Sequence, residues 1–265
     1  MQKKNGCKDP LLISETKEDQ GKRPYMEDKN CKVLIGKDMM FFGIFDGHGG
    51  AAVAEICAAN FPQIMMQGLQ MSSSADFACI LHSTFYILDQ LVAKVENVFH
   101  VGSTVVVTIL TPNAIWFANA GDSMAMVCYM DGRVELVSEE HKVEKEKDRI
   151  KAEGGVITYD DGCARIYQTL NVSRAIGDHF MKKHVNCQPF VRSISRNFDK
   201  VKYVVMASDG IWDVMGPSDI HQIIISHNNT NKAIEQIVDI AKYKGSTDNI
   251  TITYIDVEKS RSYSN

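Results

Sequence analysis

From Met39 to Phe45 the chain carries seven residues with no charged or strongly polar side chain, and the run stops abruptly at Asp46. A run of that length reads as a buried strand, and a buried strand needs other layers packed over it. Gly47, His48, Gly49 and Gly50 follow the acid. A strand interior does not require this ending. A carboxylate delivered at the tip of a buried strand suits a hard metal ion, and the glycines beside it let a backbone carbonyl approach a ligand. The question for the remaining sequence is whether other carboxylates arrive in the same way.

Strand-like runs rich in β-branched and aromatic residues recur at 32–35, 39–45, 104–110, 114–120, 125–129, 133–137, 203–207 and 250–257. Thr111-Pro112-Asn113 separates two of them and Asp131-Gly132 separates two more, which predicts tight hairpins and antiparallel pairing. Helical periodicity covers 50–69, 75–98, 139–153, 217–227 and 231–243. Helices come in pairs between groups of strands and do not follow every strand. The expected class is therefore α+β, not a doubly wound parallel sheet. Residues 1–257 are expected to form one domain, and the polar stretch 258–265 a frayed C-terminal tail.

The 265 residues carry a net charge of -4, so nothing favours nucleic acid as a partner. No apolar stretch of about 20 residues exists to span a membrane, and the first residues have no signal-peptide core. Seven cysteines are scattered singly. An odd count without a Cys-x-x-Cys pair argues for reduced thiols, a cytoplasmic or nuclear setting, and no zinc site. A monomer is expected.

Asp46 has counterparts. The run Tyr203 to Ala207 leads through Ser208 to Asp209-Gly210, and Ala120-Gly121-Asp122 sets an acid at the turn between two strands. Asp248 immediately precedes the last strand, and Glu27-Asp28 precedes the first clear one. Each acid alone reads as a turn residue or cap. As a set they differ, because a sheet places strand ends at common rims where acids can converge. Carboxylates gathered there repel one another unless cations accompany them. Oxygen ligands without partnered Cys or His point to magnesium or manganese.

In order, the segments Gln20–Arg23 with Met26–Asp28, Phe45–Gly50, Gly102–Thr104, Asn119–Ser123, His141-Lys142, Arg149-Ile150 to Gly155, Ser173–Asp178, Ala207–Asp213 and Ser246–Thr251 resemble the metal-dependent protein phosphatase (PPM) family, the type 2C serine/threonine phosphatases. The likeness spans residues 20–251. It implies a four-layer α-β-β-α sandwich with a central antiparallel β-sandwich and two Mg²⁺ or Mn²⁺ ions at one end.

By that resemblance Asp46 would bridge both ions and Gly47 would offer its carbonyl oxygen to one of them. Asp209 and Asp248 would hold a metal, Asp28 and Glu27 would act largely through water, and Asp122 would join Asp209 at a weaker third position. Arg23 would grip the substrate phosphate and His48 would be the general acid. The partners implied are phosphorylated proteins, dephosphorylated at serine or threonine by a metal-activated water.

Three positions depart from the family's usual pattern: Met124 and Thr247 stand where Arg is common, and Val143 where Pro is usual. None removes a proposed ligand. The alternative from another class is a catalytically inactive, phosphatase-like binding or regulatory module, which should have lost metal ligands that this chain keeps. A phosphodiesterase or nuclease is disfavoured by the acidic balance. Arg174 and Asp178 are expected to form a buried structural pair, and the charged face over 142–151 to be solvated.

Overall fold

The computed structural model describes residues 14–35, 38–71, 76–195 and 200–260. In chain order the first elements are β1 (Ser14–Asp19), β2 (Lys29–Ile35), β3 (Met39–Phe45), β4 (Gly47–His48), α1 (Ala52–Met71) and α2 (Phe77–Val92). The middle contributes β5 (Gly102–Ser103), β6 (Val105–Leu110), β7 (Ala114–Ala120), β8 (Met124–Tyr129), β9 (Val134–Leu136), α3 (Lys147–Ala152), β10 (Ile157–Asp160), β11 (Cys163–Ile166) and β12 (Ile176–Gly177). The chain continues with β13 (Phe190–Ser195), β14 (Val201–Ala207), α4 (Asp209–Trp212), α5 (Pro217–Ser226), α6 (Thr230–Tyr243), β15 (Ile250–Asp256) and α7 (Val257–Ser260).

Two five-stranded antiparallel sheets, ordered β1-β15-β14-β8-β9 and β13-β7-β6-β3-β2, face each other. The two-residue period of a strand explains why β3 has no polar position. Met40, Phe42 and Ile44 point into the layer between the sheets, where they join Val106, Phe117, Val127, Val204, Met206 and Ile255. Phe41 and Phe45 point the other way, onto Val53, Cys57 and Phe61 of α1 and Leu81, Phe85 and Leu88 of α2. The sheet β1-β15-β14-β8-β9 is covered on its outer face by Ile220 of α5 and by Ile234, Ile237, Val238 and Ala241 of α6. This is the expected α-β-β-α layering. A smaller lobe, built around Val143, Ile150, Ile166, Ala175, Met181 and Val185, sits beside the sandwich. No helix among the described residues is long and apolar enough to cross a membrane.

Several expectations change. The helix expected over 139–153 survives only as α3, because its first residues spend their backbone groups elsewhere. Asn119 accepts from the Glu139 amide at 3.1 Å and donates to the Glu139 carbonyl at 2.6 Å. The amides of His141 and Val143 donate to Gly121 and Asn171 carbonyls. Strand β1 escapes sequence periodicity because it is a polar edge strand, Ser-Glu-Thr-Lys-Glu-Asp, paired along its whole length with β15. The start of the supposed frayed tail is helical, as α7, while 261–265 lie outside the described residues.

Arg174 and Asp178 do not pair. Arg174 Nε donates to Glu146 Oε1 at 2.9 Å, and Arg149 holds the other Glu146 oxygen at 2.7 Å. Asp178 turns to His48. The 142–151 stretch is accordingly less solvated than its composition suggests.

Phe61 links the helical layer to the sheet, its ring centroid lying 5.3 Å from that of Phe41 and 5.1 Å from that of Phe85. Phe61→Ala should therefore lower unfolding stability by about 3–5 kcal/mol in urea titration. A change below about 1 kcal/mol would contradict this packing.

Candidate metal centre

One end of the sandwich opens into a cavity of about 350 Å³ lined by Arg23, Glu27, Asp46, Gly47, His48, Asp122, Asp209 and Asp248, among others. Each acid arrives at the end of a strand. Asp46 follows β3, Asp122 sits in the β7–β8 turn, Asp209 opens α4 just beyond β14, and Asp248 precedes β15. Carboxylate oxygens of Asp46, Asp122 and Asp209 lie within 4.8 Å of one another.

Hydrogen bonds tie these strand ends into one frame. The Thr104 amide donates to the Asp46 carbonyl at 2.8 Å, and the Thr104 and Ser123 hydroxyls meet at 2.7 Å. Asn249 Nδ2 donates to the carbonyls of Gln20 (2.8 Å) and Tyr25 (3.0 Å), and Asn249 Oδ1 accepts from the Glu27 amide at 2.8 Å. This one buried amide brings Arg23 and Glu27 to the start of β15. Asp28 lies beneath the cavity, where its Oδ2 accepts from Ser208 Oγ at 3.0 Å and Thr251 Oγ1 at 2.7 Å. Arg23 Nη2 donates to Asp248 Oδ2 at 2.6 Å. A Cβ on Gly47 would come within 2.6 Å of the Glu27 carbonyl oxygen, so only glycine allows these two loops to touch.

The electrostatics are those of a site built for cations. Burial first, and then the charges of neighbouring acids, hold the carboxyl groups of Asp46 and Asp209 well above the usual carboxylate range. Asp28 and Asp122 are pushed up to about 6, again chiefly by burial. Asp28 Oδ1, Asp122 Oδ2 and Asp209 Oδ1 are buried without a hydrogen-bond partner. Orphaned buried carboxylate oxygens beside a close group of acids are the donor set a hard divalent cation requires. The residues present therefore fit a hard divalent cation. Asp46, Asp122 and Asp209 form the tight group, Asp248 is shared with Arg23, Asp28 supports from below, and Glu27 and Gly47 stand on the wall.

At the wall His48 Nε2 is bonded to Asp178 Oδ2 at 2.7 Å. The short strands β4, β5 and β12 align side by side, with His48 opposite Gly102 and Gly102 opposite Gly177. The His48–Asp178 bond passes directly over Gly102, where a Cβ would collide with both Asp178 Oδ2 and His48 Nε2. Burial alone would lower the His48 pKa, but the Asp178 carboxylate more than offsets it and the net shift is upward. Sequence reasoning gave Asp178 a different partner. The signal present was the acid itself, following a glycine at a strand end as Asp122 does. Asn249, Ser208 and Thr251 fall inside segments that carry the family resemblance, but their residue types alone point to no role.

A family model described as Protein phosphatase 2C matches residues 17–250. Probable protein phosphatase 2C 55 of Oryza sativa subsp. japonica is 31% identical over 252 residues, which cover 92% of this chain and 65% of that relative's length. Among solved structures, a C. elegans sex determining protein superposes with a TM-score of 0.85 at 21% identity, covering 94% of this chain and 66% of that one. A serine-threonine phosphatase 2C from Toxoplasma gondii gives 0.80 at 23%, covering 92% of this chain and 94% of that one. At those identities the two structures show a common fold.

The raised carboxyl pKa values fix the sign of a pH effect in the metal-free protein. Below the unfolded value, near 3.9, these acids are protonated in both states and cost nothing. Between that value and about 6 the unfolded chain has released protons that folded Asp28 and Asp122 still hold, so the metal-free fold loses stability across this window. Mn²⁺ should therefore raise the thermal midpoint more at pH 7.5 than at pH 5. At 100 times Kd the gain is about 2.7 kcal/mol, or roughly 5–10 °C. Differential scanning calorimetry with and without Mn²⁺ checks this. An unchanged midpoint, or an equal shift in Asp209→Asn, would contradict it.

Proposed function

The chain belongs to the protein phosphatase 2C family, and from that premise we propose that it is a Mg²⁺- or Mn²⁺-dependent hydrolase of phosphoserine and phosphothreonine in proteins. The observation that carries this reading is the convergence of Asp46, Asp122 and Asp209, the last two with orphaned buried oxygens, beside an arginine and a paired histidine in one cavity.

Asp46, Asp122, Asp209 and Asp248 would hold the cations, supported by Asp28, Glu27 and the Gly47 carbonyl. Bound there, the cations would supply an activated water and offset charge developing on the phosphoryl oxygens. Arg23 stands at the mouth, with a side chain about half exposed. Its planar guanidinium can engage two phosphate oxygens at once, which a lysine could not do with the same geometry. The leaving serine or threonine oxygen needs a proton. With Nε2 engaged by Asp178, the His48 ring is fixed in one orientation and its Nδ1 is the nitrogen able to face that oxygen. The upward pKa shift keeps His48 protonated over more of the neutral range, as a proton donor requires.

A phosphothreonine peptide assayed with millimolar Mn²⁺ should be hydrolysed by the wild type, and EDTA or Asp209→Asn should abolish turnover. His48→Gln and Asp178→Asn should lower kcat on the peptide, His48→Gln by about 10²–10⁴-fold. Hydrolysis of 2,4-dinitrophenyl phosphate, whose leaving group needs no proton, should fall far less. A wild type inert on both substrates would overturn the proposal.

A further inference from the structure

Helix α2 packs its apolar face, including Leu81, Phe85, Leu88 and Val92, against the sheet that contains β3. In the middle of this buried face stands Asp89, only 2% exposed. A carboxylate in such a place is costly unless it is fully partnered. Its partners lie on one short turn. Oδ1 accepts from the Gly177 amide at 3.0 Å and pairs with Lys182 Nζ at 2.7 Å, while His179 Nε2 lies 3.5 Å from Oδ2.

Between those partners sits Asp178, the residue that holds His48. Gly177 has φ +87° and Asp178 has φ +50°, a left-handed conformation disfavoured for a residue with a Cβ. A turn so disposed needs external bonds to persist. The Asp178 amide donates to the Val101 carbonyl at 3.0 Å, and the Met181 amide to the Asp178 carbonyl at 2.8 Å. Lys182 Nζ donates to the Ala175 carbonyl at 3.1 Å, so Asp89 and Lys182 together clip both ends of the turn. Asp89 itself is not among the residues lining the catalytic cavity.

We propose that Asp89 is a positioning residue for His48: by holding the Gly177 amide and the Lys182 ammonium, it fixes the left-handed turn that presents Asp178 to His48 Nε2. This rests on the reading of His48 as proton donor to the leaving group. A residue that acts through His48 changes only the step His48 serves. Truncating its link should therefore affect substrates according to how much their leaving group needs a proton.

The test compares wild type, Asp89→Asn, Lys182→Met and Asp178→Asn on a phosphothreonine peptide and on 2,4-dinitrophenyl phosphate, with saturating Mn²⁺. Asp89→Asn should lower kcat on the peptide by about 10- to 100-fold, with KM and the dinitrophenyl rate nearly unchanged. Lys182→Met should move in the same direction by less, and it carries the comparison if Asp89→Asn does not fold. Equal loss on both substrates, or no loss on either, would overturn the assignment.

A second arm needs no turnover. In ¹⁵N-histidine-labelled protein the His48 Nε2 proton, identified by its absence in His48→Gln, should give a downfield resonance in the wild type. That resonance should disappear or shift in Asp178→Asn and in Asp89→Asn. An unchanged resonance in folded Asp89→Asn overturns the proposal. A wild type that hydrolyses neither substrate overturns the phosphatase reading instead, and the resonance still decides the role of Asp89.

Discussion

Mutual repulsion among buried carboxylates is the constraint to which most of this structure responds. Asp46, Asp122 and Asp209 stand with oxygens within 4.8 Å of one another, Asp122 buried and the other two half-buried, in an arrangement no isolated peptide would adopt. Rigid strands covered on both faces force them together. β3 is held between α1 and α2 on one side and the facing sheet on the other, so its end cannot relax away from its neighbours. The apolar layers supply the work, and the cation site is where that work is stored. This is why the strands leading to the acids, above all β3 and β14, are so uniformly buried.

Around that point the polar side chains act as clamps. Asn249 joins the N-terminal loop to the start of β15, Ser208 and Thr251 hold Asp28, and Thr104 joins the Asp46 loop to the Asp122 turn. A second chain of contacts runs outward from His48 through Asp178 and Gly177 to Asp89 on α2. The helical layer therefore does more than cover the sheet. It reaches the His48 wall of the cavity through the buried carboxylate of Asp89. Charge is handled differently in the two systems: Asp122 and Asp209 are left with orphaned oxygens, while Asp89 is met by an amide and an ammonium.

What could be read from the sequence follows the same physics. β3 and β7 were legible to the residue because a strand covered on both faces has an unmistakable composition. The acids were legible because they interrupt such runs. Polar edges were not: β1 and the β10–β11 hairpin lack the apolar pattern that reveals a strand. Residues 139–146 read as helix because their charges are helix-compatible, yet Asn119, Gly121 and Asn171 capture their backbone groups. The partner of Asp178 is hidden from the sequence for a related reason. Nearness in sequence favoured Arg174, but Arg174 turns to Glu146, and His48, 130 residues away, is brought over Gly102 by three short strands. Long-range pairing of this kind is set by topology, and one chain's local pattern does not carry it.

The central claim is that these strand ends make a site for divalent cations. Anomalous difference density at the manganese edge, from crystals grown with millimolar Mn²⁺, tests it most directly. The account predicts peaks among the carboxylates of Asp46, Asp122, Asp209 and Asp248. Ordered crystals with no anomalous density between those side chains would contradict it.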